Sequence, residues 1–187
     1  MDQLSEYFEK IGFVGDELNR IVDSFSLKTF EKNDFVVEDG KTSKHIGFVK
    51  SGMFQYYIFK DGEERTHYVN IQNTWMASLL SFISETPALE NIRALTNGSI
   101  YLIDKVKLKK LVNEVPGFNA FYIGLLEQSL CGIDASRFDL IILTAEERYQ
   151  KMLKFERHLL QQIPLQLLAS MLGVTPRHLS RIRKNIL

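Results

Sequence analysis

The sequence predicts an α+β chain in three parts: a small antiparallel β-roll, one long helix and a C-terminal helix-turn-helix. Three observations predict it. Between Leu27 and Asp104, short runs rich in Val, Ile, Phe and Tyr alternate with the pairs Asp39-Gly40, Ser51-Gly52, Asp61-Gly62 and Asn97-Gly98. That is the texture of short strands joined by tight turns. From 117 to 142, apolar residues recur at steps of three and four, the period of a helix. Near the end, "LLASMLGVTPRHLSRIRK" sets an apolar helix, a glycine and a basic helix side by side.

Composition sets the frame for these parts. The chain has 187 residues, 45% hydrophobic and 25% charged, enough apolar mass for one substantial core and a small second one. Its apolar runs are too short to cross a bilayer. "MDQLSEYFEK" lacks the basic-then-apolar pattern of a targeting segment. The expected location is therefore cytoplasmic, with no membrane partner. A single cysteine, Cys131, excludes an intrachain disulfide and a cysteine-built metal cluster. Lying in a helical stretch, it is expected to be a small buried apolar group. The net charge is zero but unevenly placed. Residues 145–187 hold eight Lys and Arg against three Asp and Glu, and residues 1–144 hold fifteen against twenty. An acidic body with a basic end suits a nucleic-acid contact confined to that end. A solvated basic helix face would give the same count.

Taken in order, residues 3–24 carry apolar residues at helical spacing and read as one or two short helices. The stretch "HIGFVKSGMFQYYIFKDGEERTHYVNI" reads as successive strands, with a hairpin at Asp61-Gly62. Asp-Gly and Asn-Gly supply the positive φ that tight hairpin turns require. Turns this frequent point to a small barrel or roll. "DKVKLKKLVNEVP" follows as a short helix stopped near Pro116. In the long helix, Phe118, Phe121, Tyr122, Leu125, Leu126, Leu130, Ile133, Leu140 and Ile141 form one stripe. A helix of roughly 40 Å at 1.5 Å per residue outruns a small roll. A second copy of the same helix is the expected partner for the excess. Gly124 and Gly132 each cost about 1 kcal/mol in a helix relative to Ala, which close helix approach would offset. Thr144, with Glu147 three residues on, forms a capping box and opens the last domain.

The terminal stretch has the parts of a helix-turn-helix in register. Leu167, Leu168, Met171 and Leu172 make an apolar face, and Ala169 is small where a second helix crosses. Gly173 falls where a tight turn needs positive φ. Thr175 caps the next helix, and Pro176 takes its first position, where a missing N–H costs nothing. Leu179 and Ile182 point back to the first helix, leaving Arg177, His178, Arg181 and Lys184 outward. Such a helix offers its N-terminal side chains to the major groove. Arg bonds guanine O6 and N7, while Lys, Thr and the helix N-terminus bond phosphates.

Roll, long helix and helix-turn-helix in this order resemble the Crp/Fnr regulators of the cyclic-AMP receptor type. The resemblance runs through the roll to "IRALTNGSIYLI", the link "TAEERYQKML" and the reader "IPLQLLASMLGVTPRHLSRIRK". It implies a cyclic-nucleotide-binding-like sensor roll over 1–116, a dimerisation helix over 117–143 and a helix-turn-helix domain over 144–187. It also implies a homodimer on double-stranded DNA with a roughly palindromic operator. By family register, Thr175, Arg177, His178 and Arg181 lie closest to the DNA, with Arg183 and Lys184 at phosphates or on the flank. The interface of the dimer helix is expected to include Phe118, Phe121, Tyr122, Leu125, Leu126 and Ile133. After the reader only Asn185, Ile186 and Leu187 follow, so a full wing is not expected.

The sensor departs from the family pattern. Cyclic-nucleotide binders carry Gly-Glu for the ribose and Arg-Ser or Arg-Thr for the phosphate. Here the Gly-Glu positions are Ala77 and Ser78, and the Arg-Ser positions are Ala88 and Leu89. A buried phosphate needs a charge-assisted partner, which Ala and Leu do not offer. Arg93 lies nearby on a strand and reads as a surface residue. Cyclic AMP is thus not the expected effector; an unidentified, more apolar small molecule, or none, is. The N-terminus has no cysteines for an iron–sulfur cluster. His45 and His67 read as strand decoration and His158 as part of a polar helix, so no haem, metal or other cofactor is expected. No nucleophile–base pair, metal-ligand spacing or phosphate-cradling glycine loop marks an enzyme. The leading expectation is a DNA-binding regulator. The alternative is a small-molecule sensor acting through protein contacts without DNA.

Overall fold

The computed structural model describes residues 2–186, apart from the side chain of His158. Two short helices, α1 (Gln3–Lys10) and α2 (Gly15–Ser24), lead into eight strands. These are β1 (Ser26–Phe30), β2 (Phe35–Val37), β3 (His45–Ser51), β4 (Phe54–Lys60), β5 (Glu63–Asn70), β6 (Trp75–Met76), β7 (Asn91–Ala94) and β8 (Gly98–Asp104). Helix α3 (Leu79–Ser84) interrupts them between β6 and β7. Helices α4 (Lys105–Glu114), α5 (Phe118–Ile142), α6 (Ala145–Phe155), α7 (Arg157–Leu160), α8 (Leu165–Met171) and α9 (Pro176–Ile186) complete the chain. The strands form two four-stranded sheets, ordered β1-β8-β3-β6 and β2-β7-β4-β5.

Strand periodicity explains why this part closes into a roll. In β8, Ile100 and Leu102 pack into one cluster with Val49, Phe54, Tyr56 and Ile92. Their neighbours Tyr101 and Ile103 join a second cluster with Phe48 and residues of the flanking helices. Successive side chains leave opposite faces of a strand, so a continuous apolar run buries both. The first cluster fills the space between the sheets. The second seats α1, α2, α4 and Phe118 on the outside of one sheet. The expected hairpin turn is present: Asp61 and Gly62 have φ of 55° and 78°. Gly98 is needed for a different reason than φ. A Cβ there would meet the Ser51 carbonyl oxygen at 2.5 Å.

By packing, the chain divides into two compact units. One comprises the chain up to Ile58 with Val69–Gly124; the other comprises Phe59–Tyr68 with the chain from Leu125 on. In the second unit, α6 begins as its sequence dictates. The Thr144 side chain accepts from the Glu147 amide at 3.2 Å, and Glu147 returns a bond to the Thr144 amide at 2.7 Å. The Thr144 amide, with the Thr144 hydroxyl at 2.8 Å, donates to the Glu147 carboxylate and holds it below its ordinary pKa. Lys151 of α6 pairs with Asp139 of α5 at 2.6 Å.

Two sequence expectations change. Cys131 is exposed, because its turn of α5 carries an apolar stripe that nothing covers among the described residues; Leu130 and Ile133 are 67% and 59% exposed beside it. Arg93 is half-buried rather than a surface residue. Its guanidinium lies 4.8 Å from the Tyr57 ring centre and donates to Gln55 Oε1 at 3.0 Å.

Candidate nucleic-acid interface and effector pocket

The reader's geometry follows from its turn. Helix α8 ends with Gly173 at φ 68°. The Val174 amide donates to the Ala169 carbonyl and the Gly173 amide to that of Ser170, each at 2.9 Å. This paired pattern is a Schellman motif, which satisfies the last carbonyls and turns the chain sharply. Arg148 of α6 steadies the corner, donating to the Leu172 carbonyl at 2.6 Å and the Leu143 carbonyl at 3.2 Å. Helix α9 then starts on its cap: the His178 amide donates to Thr175 Oγ1 at 3.2 Å. Leu179 and Ile182 are buried with Leu168, Ala169 and Leu172, and with Tyr149, Leu159 and Ile163. These residues form the small core of the helical unit.

That burial fixes what the other face presents. With Leu179 and Ile182 inward, Arg177, Arg181 and Lys184 fall at i, i+4 and i+7 on the opposite side. All three are exposed, as are Thr175, His178 and Arg183. The helix has no acidic residue in its first turn, and among the described residues no ion pair involves it. Four cations stand in water on one short helix.

The four effector positions are not brought together as a polar site. Ala77 packs against the helix-side core, and Ser78 is buried at the start of α3. Ala88 is buried, and its backbone is stitched to the preceding loop: its amide donates to the Lys41 carbonyl and its carbonyl accepts from Gly40. Leu89 is 72% exposed. Between the sheets lie Phe30, Phe54, Tyr56, Met76 and Ile92, and among the described residues no charged side chain is fully buried. An open cavity of about 490 Å³ lies elsewhere, lined by Ile11, Phe13, Glu17, Pro116, Ala120 and Phe121 among others. It shares no residue with the four positions.

Along the long helix, Phe118 is fully buried in its own chain's core. Phe121, Tyr122, Leu125 and Leu126 are half-buried, and Ile133 is exposed. A Cβ at Gly124 or Gly132 would meet nothing within 4 Å.

Residues 27–115 match the family model of the cyclic nucleotide-binding domain. Solved structures extend the likeness along the chain. A mutant of CooA from Carboxydothermus hydrogenoformans superposes with a TM-score of 0.72 at 17% identity, over 97% of this chain and 83% of that one. FixK2 from Bradyrhizobium japonicum gives 0.71 at 15% identity, over 87% and 84%. The catabolite activator protein of Thermus thermophilus gives 0.60 at 18%, over 94% and 84%. This chain shares its fold with these three structures. No curated protein matches the sequence. No helix is long and apolar enough to cross a membrane, among the described residues.

Proposed function

We propose that this chain is a sequence-specific DNA-binding transcriptional regulator that works as a cytoplasmic homodimer. The observation that carries this reading is the exposed cationic face of α9, held by a capped helix on a Schellman turn. A helix of this kind reads base edges with its N-terminal side chains. Arg181 is the base reader, Arg177 and His178 flank it, and Thr175, Arg183 and Lys184 serve phosphates. The organisation is a sensor roll over 1–116, a dimer helix over 117–143 and the reader over 144–187.

Pairing is supported by the bare stripe on α5. Ile123, Leu130, Ile133 and Phe138 are large, apolar and exposed, and a two-fold helix pair would cover them. Two readers then face half-sites about 34–36 Å apart on a palindromic operator. The roll's apolar filling, with Ala88 at the phosphate-ligand position, supports a sensor that does not answer to cyclic AMP. Mobility shift of the full chain against a random pool of duplexes tests the reading. The expected result is retention of a selected sequence, weakening steeply as salt rises. Equal retention of all duplexes, or none, would contradict it.

A further inference from the structure

We propose that Arg137 lies within the seam that α5 forms with α5 of a second copy, and that it restricts the pair to one alignment, parallel and unshifted. The proposal rests on the homodimer reading above and adds which residues meet and what selects their partner. Leu126, Leu130, Ile133, Arg137 and Leu140 follow one another at steps of four, three, four and three, the a/d spacing of a two-stranded coiled coil. All of them lie in the unit that resumes at Leu125. Leu130, Ile133 and Leu140 are 67%, 59% and 62% exposed, and Leu126 is half-buried. These positions present bare aliphatic surface, interrupted once by a cation. Arg137 is exposed, and its guanidinium is drawn to one side of the stripe. There it pairs with Asp134 at 2.8 Å and lies 5.3 Å from the Phe138 ring centre.

A second copy of α5 is the occupant this pattern fits. In a parallel, unshifted pair each seam residue meets its own counterpart. Leucine then faces leucine, isoleucine faces isoleucine, and the two arginines share a single layer. Their stems cover the seam, while Asp134 and Phe138 keep the charged heads at its rims, in water. Other alignments spread the two charges over two layers. An antiparallel pair that faces Leu130 with Ile133 sets each Arg137 on a Leu126. A parallel pair slipped by one heptad sets one Arg137 on Leu130 and the other on Thr144. Bundles of three or four helices enclose a core side chain more completely and leave a guanidinium no short way to water. A lone polar residue in a coiled-coil core selects register and strand number in this way, at a cost in stability.

The test is Arg137→Leu in the full chain, with Arg137→Lys as the variant that keeps the charge. Sedimentation over a range of concentrations gives the Kd of assembly and the number of chains. Ile133→Cys reports the register. In a Cys131→Ser background it supplies the only thiol, and under oxidised glutathione it cross-links two chains where their 133 positions meet. Without a change at Arg137 the expected species is a dimer that cross-links through Ile133→Cys. Arg137→Leu should assemble about fivefold more tightly or better, as when an apolar side chain replaces a charge buried in an interface. It should also add larger species and lower the cross-linked yield, while Arg137→Lys keeps the parent behaviour. Arg137→Leu assembling no more tightly overturns the place of Arg137 in the seam. Arg137→Leu that tightens but remains a fully cross-linked dimer overturns its selective role. A wild type that stays monomeric at every concentration overturns the homodimer reading, and this inference with it.

Discussion

In the roll, the positions that would grip a nucleotide are aliphatic or small, and three of the four are packed into the fold. In the reader, four cations stand in water on a helix whose other face is fully buried. The roll's side chains are explained by the roll: Phe54, Tyr56 and Ile92 fill the space between two sheets, and folding alone requires them. Arg177, Arg181 and Lys184 are not explained by folding. They make no ion pair among the described residues, and their removal would leave the α8–α9 core untouched. Chemistry that folding does not require points to a partner, and the proposed partner is polyanionic.

The largest expected effect breaks the comparison on the roll side. Phe54→Ala should cost about 3–5 kcal/mol, because a fully buried ring leaves a cavity that its neighbours refill only in part. Denaturant melts measure this. A near-neutral variant would mean that the ring lines a ligand space rather than a packed interior. Next comes Arg181→Ala, which should weaken operator binding by about 1–3 kcal/mol and relax preference at one base pair per half-site. Its melting temperature should stay at the wild-type value, in contrast to Phe54→Ala. A titration of variant duplexes reads both effects.

Smaller effects sharpen the same contrast. Burial holds the His45 pKa below its ordinary 6.5; Asp104 opposes this, and Lys28 and Lys44 reinforce it. The unfolded chain therefore takes up this proton first, so stability is full above pH about 6.5 and declines as pH falls below it. His45→Gln should flatten that slope in melts taken between neutral and mildly acid pH. Smallest of all is the response to cyclic AMP, which should leave the melting temperature unmoved. A ligand at a hundred times its Kd stabilises by about 2.7 kcal/mol, so a clear rise would restore the nucleotide pocket.

Much of the fold was legible because its signals are local. Strand alternation, the Asp61-Gly62 turn, the Thr144–Glu147 box and the Gly173-to-Pro176 corner each depend on a few adjacent residues. The reader's exposed face followed from Leu179 and Ile182 by helical period alone. What the sequence did not reveal depends on distant partners. Arg93 reads as a surface charge until Gln55 and Tyr57 are placed beside it. Cys131 reads as buried until α5 is seen to outrun its own chain. Ser170 reads as one more helix polar residue, and no local pattern ties it to Thr66, 104 positions away. Nor does any pattern show that Arg148 would brace the reader's corner.

The central claim is that two copies hold their readers in fixed register on one duplex. The most direct measurement is affinity as a function of half-site spacing, using duplexes that carry two copies of the selected half-site. Binding should peak when the half-sites lie about 10–10.5 base pairs apart, centre to centre, or a multiple of that, with two chains on each duplex. Affinity indifferent to spacing, with one chain bound per half-site, would contradict it.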